Sequence, residues 1–280
     1  MKHREVTMNK DLFLKKLKIK KFDSYKNING RALIFGGSYG YHGSVIMNIK
    51  ACLKTNVGYV TGVVDDSIYP IVASNIIEAI FSTNSNYDIL KLLDNNDAVL
   101  FGSGMVNMDI KKQIFDEIIQ YSKIPYILDG EAFNLLKSNM YLLKFSKAKI
   151  ILTPHLGEFS RIMDIDVSEL KRDKLKYAKK FINEFPNITL VLKDHETIVI
   201  DADRIYYNKV GNQVLAKAGS GDVLAGLMIG YLSQGITPFD SAVMACFLHG
   251  SLADISIINN DPSTIQPLDI LKSLDIFFKI

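Results

Sequence analysis

From residue 31 to residue 155 the chain repeats one unit: a short apolar run that ends at glycine or a polar turn, followed by a helix-like stretch. The strand-like runs are "RALIFGG" (31–37), "GYVTGVV" (58–64), "DAVLFGSG" (97–104), "IPYILDG" (124–130) and "AKIILTPH" (148–155). Between them, "GSVIMNIKACLKTN" (43–56) and "MDIKKQIFDEIIQYS" (108–122) read as helices, with a short helix before residue 148. Strands that alternate with helices predict βαβ crossovers and a parallel sheet. The unit then changes: "ITLVLKD", "ETIVIDAD" and "RIYYNK" (188–209) are separated by short turns and predict antiparallel hairpins. Three mostly helical segments finish the chain. The expected fold class is therefore α/β, a mostly parallel sheet with an antiparallel hairpin section.

At 280 residues, with short loops and no Ser/Pro-rich linker, the chain reads as one domain over 23–280 behind a basic N-terminal arm over 1–22. A net charge of +3 gives no argument for nucleic acid, and the lysines of "KKLKIKKF" (15–22) read as a solvated face or arm. Cys52 and Cys246 sit in apolar helical surroundings with no zinc spacing, as expected of buried free thiols in a reducing compartment. The N-terminus "MKHREVTMNKDLF" has charges but no apolar core of a signal peptide. Of the greasiest segments, Val223–Leu232 is too short for a membrane span and Ala242–Ile258 is interrupted by His249 and Asp254. These features predict a cytoplasmic protein without a membrane partner.

In open parallel sheets ligands sit beyond the carboxyl ends of the strands. Four strand ends here carry glycine or polar clusters: "GGSYGYHG" (36–43), "GSG" (102–104), "LDGE" (128–131) and "TPHLGE" (153–158). The first lacks the Gly-Lys-Ser/Thr of a phosphate loop and the spacing of a dinucleotide fingerprint, so alone it reads as a strand-to-helix turn. In "TPHLGE", His155 and Glu158 are three residues apart, which places both on one face of a helix starting there. A carboxylate at that edge has the chemistry to hold Mg²⁺ through waters. In "LVLKDHET" (190–197) Lys193 ends a strand, and it gains interest only if a phosphate lies nearby.

The segment "LAKAGSGDVLAGLMIGYL" (215–232) sets Gly219, Ser220, Gly221 and Asp222 before a helix that is apolar on most sides. One reading is a helix cap, because Ser and Asp are favoured there. The other is an anion site, in which glycines let the backbone close on a phosphate beside an aspartate base. A second glycine turn at Gly211-Asn212 precedes it, and this close succession favours the anion site.

Taken together, "TPHLGE", "VLKDHET", the Gly-Asn turn and "LAKAGSGDVLAG" resemble, in order, the ADP/ATP-dependent NAD(P)H-hydrate dehydratases of the ribokinase-like superfamily. "DSYKNINGRALIFGGS" (23–38), "GSGM" (102–105) and "ILDGEAFNLL" (127–136) fit the same family, and the resemblance covers roughly residues 20–280. It implies a ribokinase-like three-layer α/β/α sandwich. It also implies repair of the S epimer of hydrated NADH or NADPH at the expense of ADP or ATP, with Mg²⁺. By position, Ser44, Gly104, His155 and Asp222 match hydrate-binding residues. Lys193, Asp194, His195, Glu196, Thr197 and Gly221 match nucleotide contacts, with the turn Asn208 to Gly211 and Asn212 close by. Asp222 is then the general base. Backbone N–H groups of Gly219, Ser220 and Gly221 stabilise the transferring phosphoryl group, and Glu158 is the carboxylate beside the metal.

The sequence departs from the family at Tyr25-Lys26-Asn27, at Leu156 within His155-Leu156-Gly157-Glu158, and at Gly130-Glu131. It departs again at Asp194, which puts a negative charge where phosphates are expected. The resemblance further implies a homotetramer and an epimerase encoded as a separate protein. Two other functions fit parts of the same pattern. A ribokinase-like kinase of a hydroxymethylpyrimidine or hydroxyethylthiazole would share the glycine loop and Asp222, and His155 argues against it. A non-catalytic nucleotide-binding regulator would tolerate Asp194, and the intact Asp222 argues against that.

Overall fold

Branched and aromatic residues at alternate positions make each strand present one apolar row to either face of the sheet. In β2 (Arg31–Phe35), Ala32 and Ile34 point to one side while Leu33 and Phe35 point to the other, and all four are fully buried. The computed structural model describes residues 3–17 and 29–279. The boundary at 22/23, the first part of the 23–38 segment and Tyr25-Lys26-Asn27 lie outside the described residues.

Among the described residues, ten strands form one sheet. Besides β2 they are β1 (Arg4–Val6), β3 (Tyr59–Val64), β4 (Ile80–Thr83), β5 (Ala98–Phe101), β6 (Tyr126–Leu128), β7 (Ile150–Leu152), β8 (Ile188–Leu192), β9 (Ile198–Ile200) and β10 (Arg204–Tyr207). Their spatial order is β1-β10-β9-β8-β7-β6-β5-β2-β3-β4. Every neighbouring pair is parallel except β8–β9 and β9–β10, so β9 runs against the rest. Helices cover both faces. One layer holds α1 (Lys10–Lys16), α2 (His42–Leu53), α3 (Tyr69–Asn75), α10 (Ser220–Ser233), α11 (Pro238–Ser256) and α12 (Leu274–Lys279). The other holds α4 (Ile89–Asp94), α5 (Lys111–Tyr121), α6 (Ala132–Lys137), α7 (Leu156–Met163), α8 (Val167–Arg172) and α9 (Lys174–Glu184). This is the three-layer α/β/α arrangement expected, with its antiparallel section at β8–β10.

The N-terminal segment is more than an arm. β1 pairs in parallel with β10, and α1 buries Phe13 completely, its ring 5.4 Å from that of Phe277 and 5.9 Å from that of Tyr231. Lys16 reaches Asp240 of α11 at 2.9 Å, so this lysine serves the protein's own surface. The lysine-rich composition hides a single core aromatic and a three-residue strand, too short to leave a periodic signal.

Two features of the fold position the site. From β2 the chain goes to β3 on one side, while β5 lies on the other, so the order reverses between β2 and β5 and opens a crevice at their carboxyl ends. α2 and α10 also pack with almost no separation. A Cβ on Gly226 would come within 2.3 Å of the Asn48 carbonyl oxygen, and one on Gly230 within 2.0 Å of Thr55 Oγ1. That close contact brings the N-termini of the two helices together over the crevice. Among the described residues no helix is long and apolar enough to cross a membrane.

Candidate active site

The helix α10 begins at Gly219, whose φ of +93° is a conformation that L side chains rarely adopt. A Cβ there would also strike Met47 Sδ at 2.5 Å. Glycine offers no capping side chain, and no side chain caps this terminus. No side chain takes up the first N–H groups of this buried, apolar helix, and the Ser220 N–H is bonded to the Lys217 carbonyl at 3.1 Å. The cap reading of the Gly-Ser-Gly-Asp stretch therefore gives way, since neither Ser220 nor Asp222 performs that task.

Ser220 Oγ instead lies 3.4 Å from Nε2 of His249, a buried imidazole whose pKa burial pushes down to about 4, keeping it neutral. Asp222 occupies the first turn. Burial and the nearby Asp129 carboxylate push its pKa up to about 7, opposed by the hydroxyls of Ser44 and Ser103 and by Lys193. A carboxyl poised near neutrality is suited to exchange protons at working pH. Asn48 Nδ2 donates to the Asp222 carbonyl at 2.8 Å and ties this turn to α2.

Ser44, in the first turn of α2, faces Asp222, and Gly104 lies against Ser44. A Cβ on Gly104 would come within 2.7 Å of Ser44 Cβ. The loops after β2 and β5 are stitched together. Ser38 Oγ donates to the Gly104 carbonyl at 2.8 Å and accepts from the Asn107 N–H at 3.1 Å.

His155 is the N-cap of α7. Its Nδ1 accepts the N–H groups of Gly157 and Glu158, at 3.0 and 3.3 Å, while Glu158 Oε2 accepts the His155 N–H at 2.8 Å. This reciprocal capping box fixes both side chains. Burial, Lys193 and Arg161 lower the His155 pKa, against Asp129. A neutral ring accepting at Nδ1 carries its proton on Nε2, which lies 3.5 Å from Glu158 Oε1. Burial raises the Glu158 pKa, opposed mainly by Lys193.

Lys193 sits just past β8, its N–H bonded to the Pro154 carbonyl at 2.8 Å, in a bridge that aligns it with His155. Its Nζ forms a 2.9 Å ion pair with Asp129 and lies 3.5 Å from where a Cβ on Gly221 would stand. It is no solvated strand-end charge.

The remaining residues named from the sequence form a second group beside this one. The Asp194–Thr197 turn joins β8 to β9, and Thr197 accepts the Asn208 N–H through its carbonyl at 2.9 Å. Asn208 Oδ1 accepts from the Tyr206 hydroxyl at 2.8 Å. Gly211 and Asn212 are both held by Asp254 of α11, at 2.9 Å each. The Asp194 charge has a partner: Lys174 Nζ lies 2.9 Å from Oδ2 and also donates to the Glu196 carbonyl. Burial raises the Asp194 pKa, but bonds from Lys174 and His195 outweigh it and hold the carboxyl below the usual range. His195 is exposed, 3.4 Å from Asp194.

The sequence reading missed Asp129, Ser103 and Lys174. "LDGE" marked the strand end, yet nothing local distinguished Asp129 as buried, at 4% exposure. Lys174 is one of several lysines in its segment, and only the fold places it against Asp194.

The three-layer sheet with its switch point between β2 and β5, and a glycine-led helix mouth over it, is the architecture of a ribokinase-like protein. A structure of a ribokinase-like superfamily protein from Enterococcus faecalis V583 superposes with a TM-score of 0.86 at 26% identity, covering 99% of this chain and 95% of that one. The NAD(P)H-hydrate dehydratase family model matches residues 32–275, and the chain belongs to this family. It is 31% identical over 240 residues to the ADP-dependent (S)-NAD(P)H-hydrate dehydratase of Neisseria meningitidis, covering 83% of this chain and 79% of that protein. It also matches bifunctional NAD(P)H-hydrate repair enzymes, as from Moorella thermoacetica at 29% identity over 89% of this chain, and spans about half their length, 49% in that case.

Proposed function

We propose that this protein dehydrates the S epimer of hydrated NADH or NADPH at the expense of ADP or ATP. The observation that carries the reading is the pairing at the head of α10 of N–H groups free of side-chain caps with Asp222, whose pKa stands near 7. Membership of the dehydratase family supplies the substrate class. The hydrate's hydroxyl oxygen attacks the terminal phosphorus while Asp222 takes its proton, and AMP leaves if ADP is the donor. The N–H groups of Gly219 and Gly221, joined by that of Ser220 when it leaves the Lys217 carbonyl, bind the charge that develops on the equatorial phosphoryl oxygens. The ring nitrogen then expels phosphate, and loss of a proton from the neighbouring ring carbon restores the dihydropyridine. His155 Nε2–H and Ser44 Oγ orient the hydrate beside Asp222.

The donor set fits magnesium carried by the nucleotide. Among the described residues no cluster of three or more carboxylate, histidine or cysteine side chains could cage a metal. Mg²⁺ commonly binds through phosphate oxygens and waters with one or two carboxylates. Glu158 uses Oε2 in the capping box, and Oε1, 3.5 Å from His155 Nε2, is the oxygen that would hold a metal-bound water. When bound, the ion neutralises phosphate charge. Cytoplasmic location and homotetramer assembly belong to the same reading; light scattering of the purified protein measures the latter.

Mixing the protein with hydrated NADPH, Mg²⁺ and either ADP or ATP should produce the near-ultraviolet absorbance of NADPH only when nucleotide is present. A flat trace with both nucleotides from folded protein would remove the assignment. The acid limb of the pH profile is a second check. Asp222 works deprotonated, so kcat/KM should rise with pH through about 7 and fall about tenfold per unit below it. A flat profile from pH 5 to 8, at roughly constant ionic strength, would dissociate Asp222 from proton transfer.

Asp194 gives a third prediction. With Lys174→Ala its charge loses the ammonium partner and keeps only His195 beside it. KM for the nucleotide is then expected to rise about 3- to 5-fold with kcat kept, the scale of a partly exposed ion pair. An unchanged KM would place the phosphates away from the β8–β9 turn.

A further inference from the structure

Asp129 is one of the most thoroughly anchored polar groups in the crevice, and the reaction described above does not use it. It stands just past β6 with its side chain 6% exposed. Oδ1 accepts from Lys193 Nζ at 2.9 Å and from Thr153 Oγ1 at 2.6 Å, and Oδ2 accepts from Ser103 Oγ at 3.0 Å. The three donors follow β8, β7 and β5, so neighbouring strand ends on both sides of β6 hold this carboxylate in place. Lys193, its cationic partner, lies against Gly221, one residue from Asp222. The ammonium thus stands between two carboxylates and is committed to one of them.

We propose that Asp129 is a positioning residue: by engaging Lys193 it keeps that ammonium out of an ion pair with Asp222 and leaves the Asp222 carboxylate available as a base. The proposal rests on the reading of Asp222 as the base. A carboxylate paired with a largely buried ammonium is held ionised, its pKa lowered by about 1–3 units, and becomes a poor proton acceptor. Asp129 prevents this by offering Lys193 a partner already fixed by two hydroxyls. The direction of the charges agrees. Burial works against ionisation of both groups, yet their mutual attraction wins, holding Asp129 below its usual range and Lys193 above its own. Other groups face the cluster. His155 and Glu158 at the start of α7 sense both members of the pair, Ser44 of α2 and Ser103 after β5 face Asp222, and Cys246 of α11 senses Lys193. Among the described residues, Lys193 is the cation that acts on Asp222.

The test is the titration midpoint of Asp222, followed by carboxyl-carbon NMR in the unliganded full chain with and without Asp129→Asn, together with the pH profile of turnover. Asn preserves the shape of Asp129 but cannot neutralise Lys193. The midpoint and the acid limb are expected to move down by about one pH unit or more, with the plateau of kcat/KM falling about tenfold because the base is weaker. Lys193→Met should move the Asp222 midpoint the other way, because two carboxylates then face each other without a cation. Loss of the Asp129 charge by itself also lowers the Asp222 pKa, so a charge-preserving variant is measured alongside; simple loss of structure would depress the plateau and leave the midpoint in place. Thr153→Val loosens the same carboxylate without changing charge and should shift the midpoint in the same direction by less. An unmoved midpoint in the folded variants overturns the proposal. If Asp222→Asn retains turnover, the base reading fails instead, and the NMR midpoint still reports on the Asp129–Lys193–Asp222 arrangement by itself.

Discussion

Asp222→Asn is expected to lower dehydratase kcat by about 10³-fold while leaving the fold and the nucleotide KM close to wild type. The magnitude is that of removing a general base. Asparagine matches aspartate in shape and preserves the backbone link from Asn48 to the carbonyl of residue 222. It cannot accept a proton at neutral pH, so the hydrate's hydroxyl would attack phosphorus unassisted. The substitution also removes the repulsion between two carboxylates in one crevice, so melting should be unchanged or slightly later. Single-turnover measurement of NADPH release at saturating nucleotide decides the matter. A variant with wild-type kcat would sink the role of Asp222, and one with raised nucleotide KM and intact kcat would reassign it to binding.

The second large effect is on stability. Gly226→Val should cost about 3 kcal/mol, at the upper end of ordinary overpacking penalties. The first atom added would lie 2.3 Å from the Asn48 carbonyl oxygen and 2.8 Å from Ala51 Cβ. One of these is backbone of a buried helix and cannot rotate away, so α2 must move off α10. For a chain of this size the melting temperature should fall by about 6–12 °C. The folded fraction should also lose turnover, because the α2–α10 contact sets the approach of Ser44 to Asp222. An unchanged thermal melt would show that the two helices are not in tight contact.

Some of the site was legible locally, and the reasons differ by residue. Gly219 and Asp222 stood out because a Gly-Ser-Gly-Asp turn before a uniformly apolar helix is an unusual local combination. His155 and Glu158 were legible because residues three apart share one face of a helix that starts at a strand end, whereas the capping box that joins them was not read. Lys193 was ambiguous, since a lysine ending a strand is ordinarily solvated, and only its pairing across the sheet with Asp129 buries it. The partner of Asp194 was invisible, because Lys174 is twenty residues away and no periodicity marks it. Residues 65–96 illustrate the same limit for the fold. α3, β4 and α4 there are short and lie towards the β4 edge of the sheet, and Ile80 of β4 and Ile77 before it are exposed, so the contrast between apolar and polar positions is weak.

The period of the chain is written in the local order of residues: alternating strands and helices, glycine at the strand ends, and one antiparallel excursion. These follow from backbone sterics and from which face of each element must leave water, and both are local properties. Only the tertiary structure decided which strand ends become neighbours, and therefore the charge state of the crevice. The pKa of Asp222 near 7 arises from its burial and from Asp129, which is distant in sequence and adjacent only because β6 lies beside β5 and β7. Desolvation and Coulomb interaction depend on distance through space, and no spacing along the chain encodes that distance.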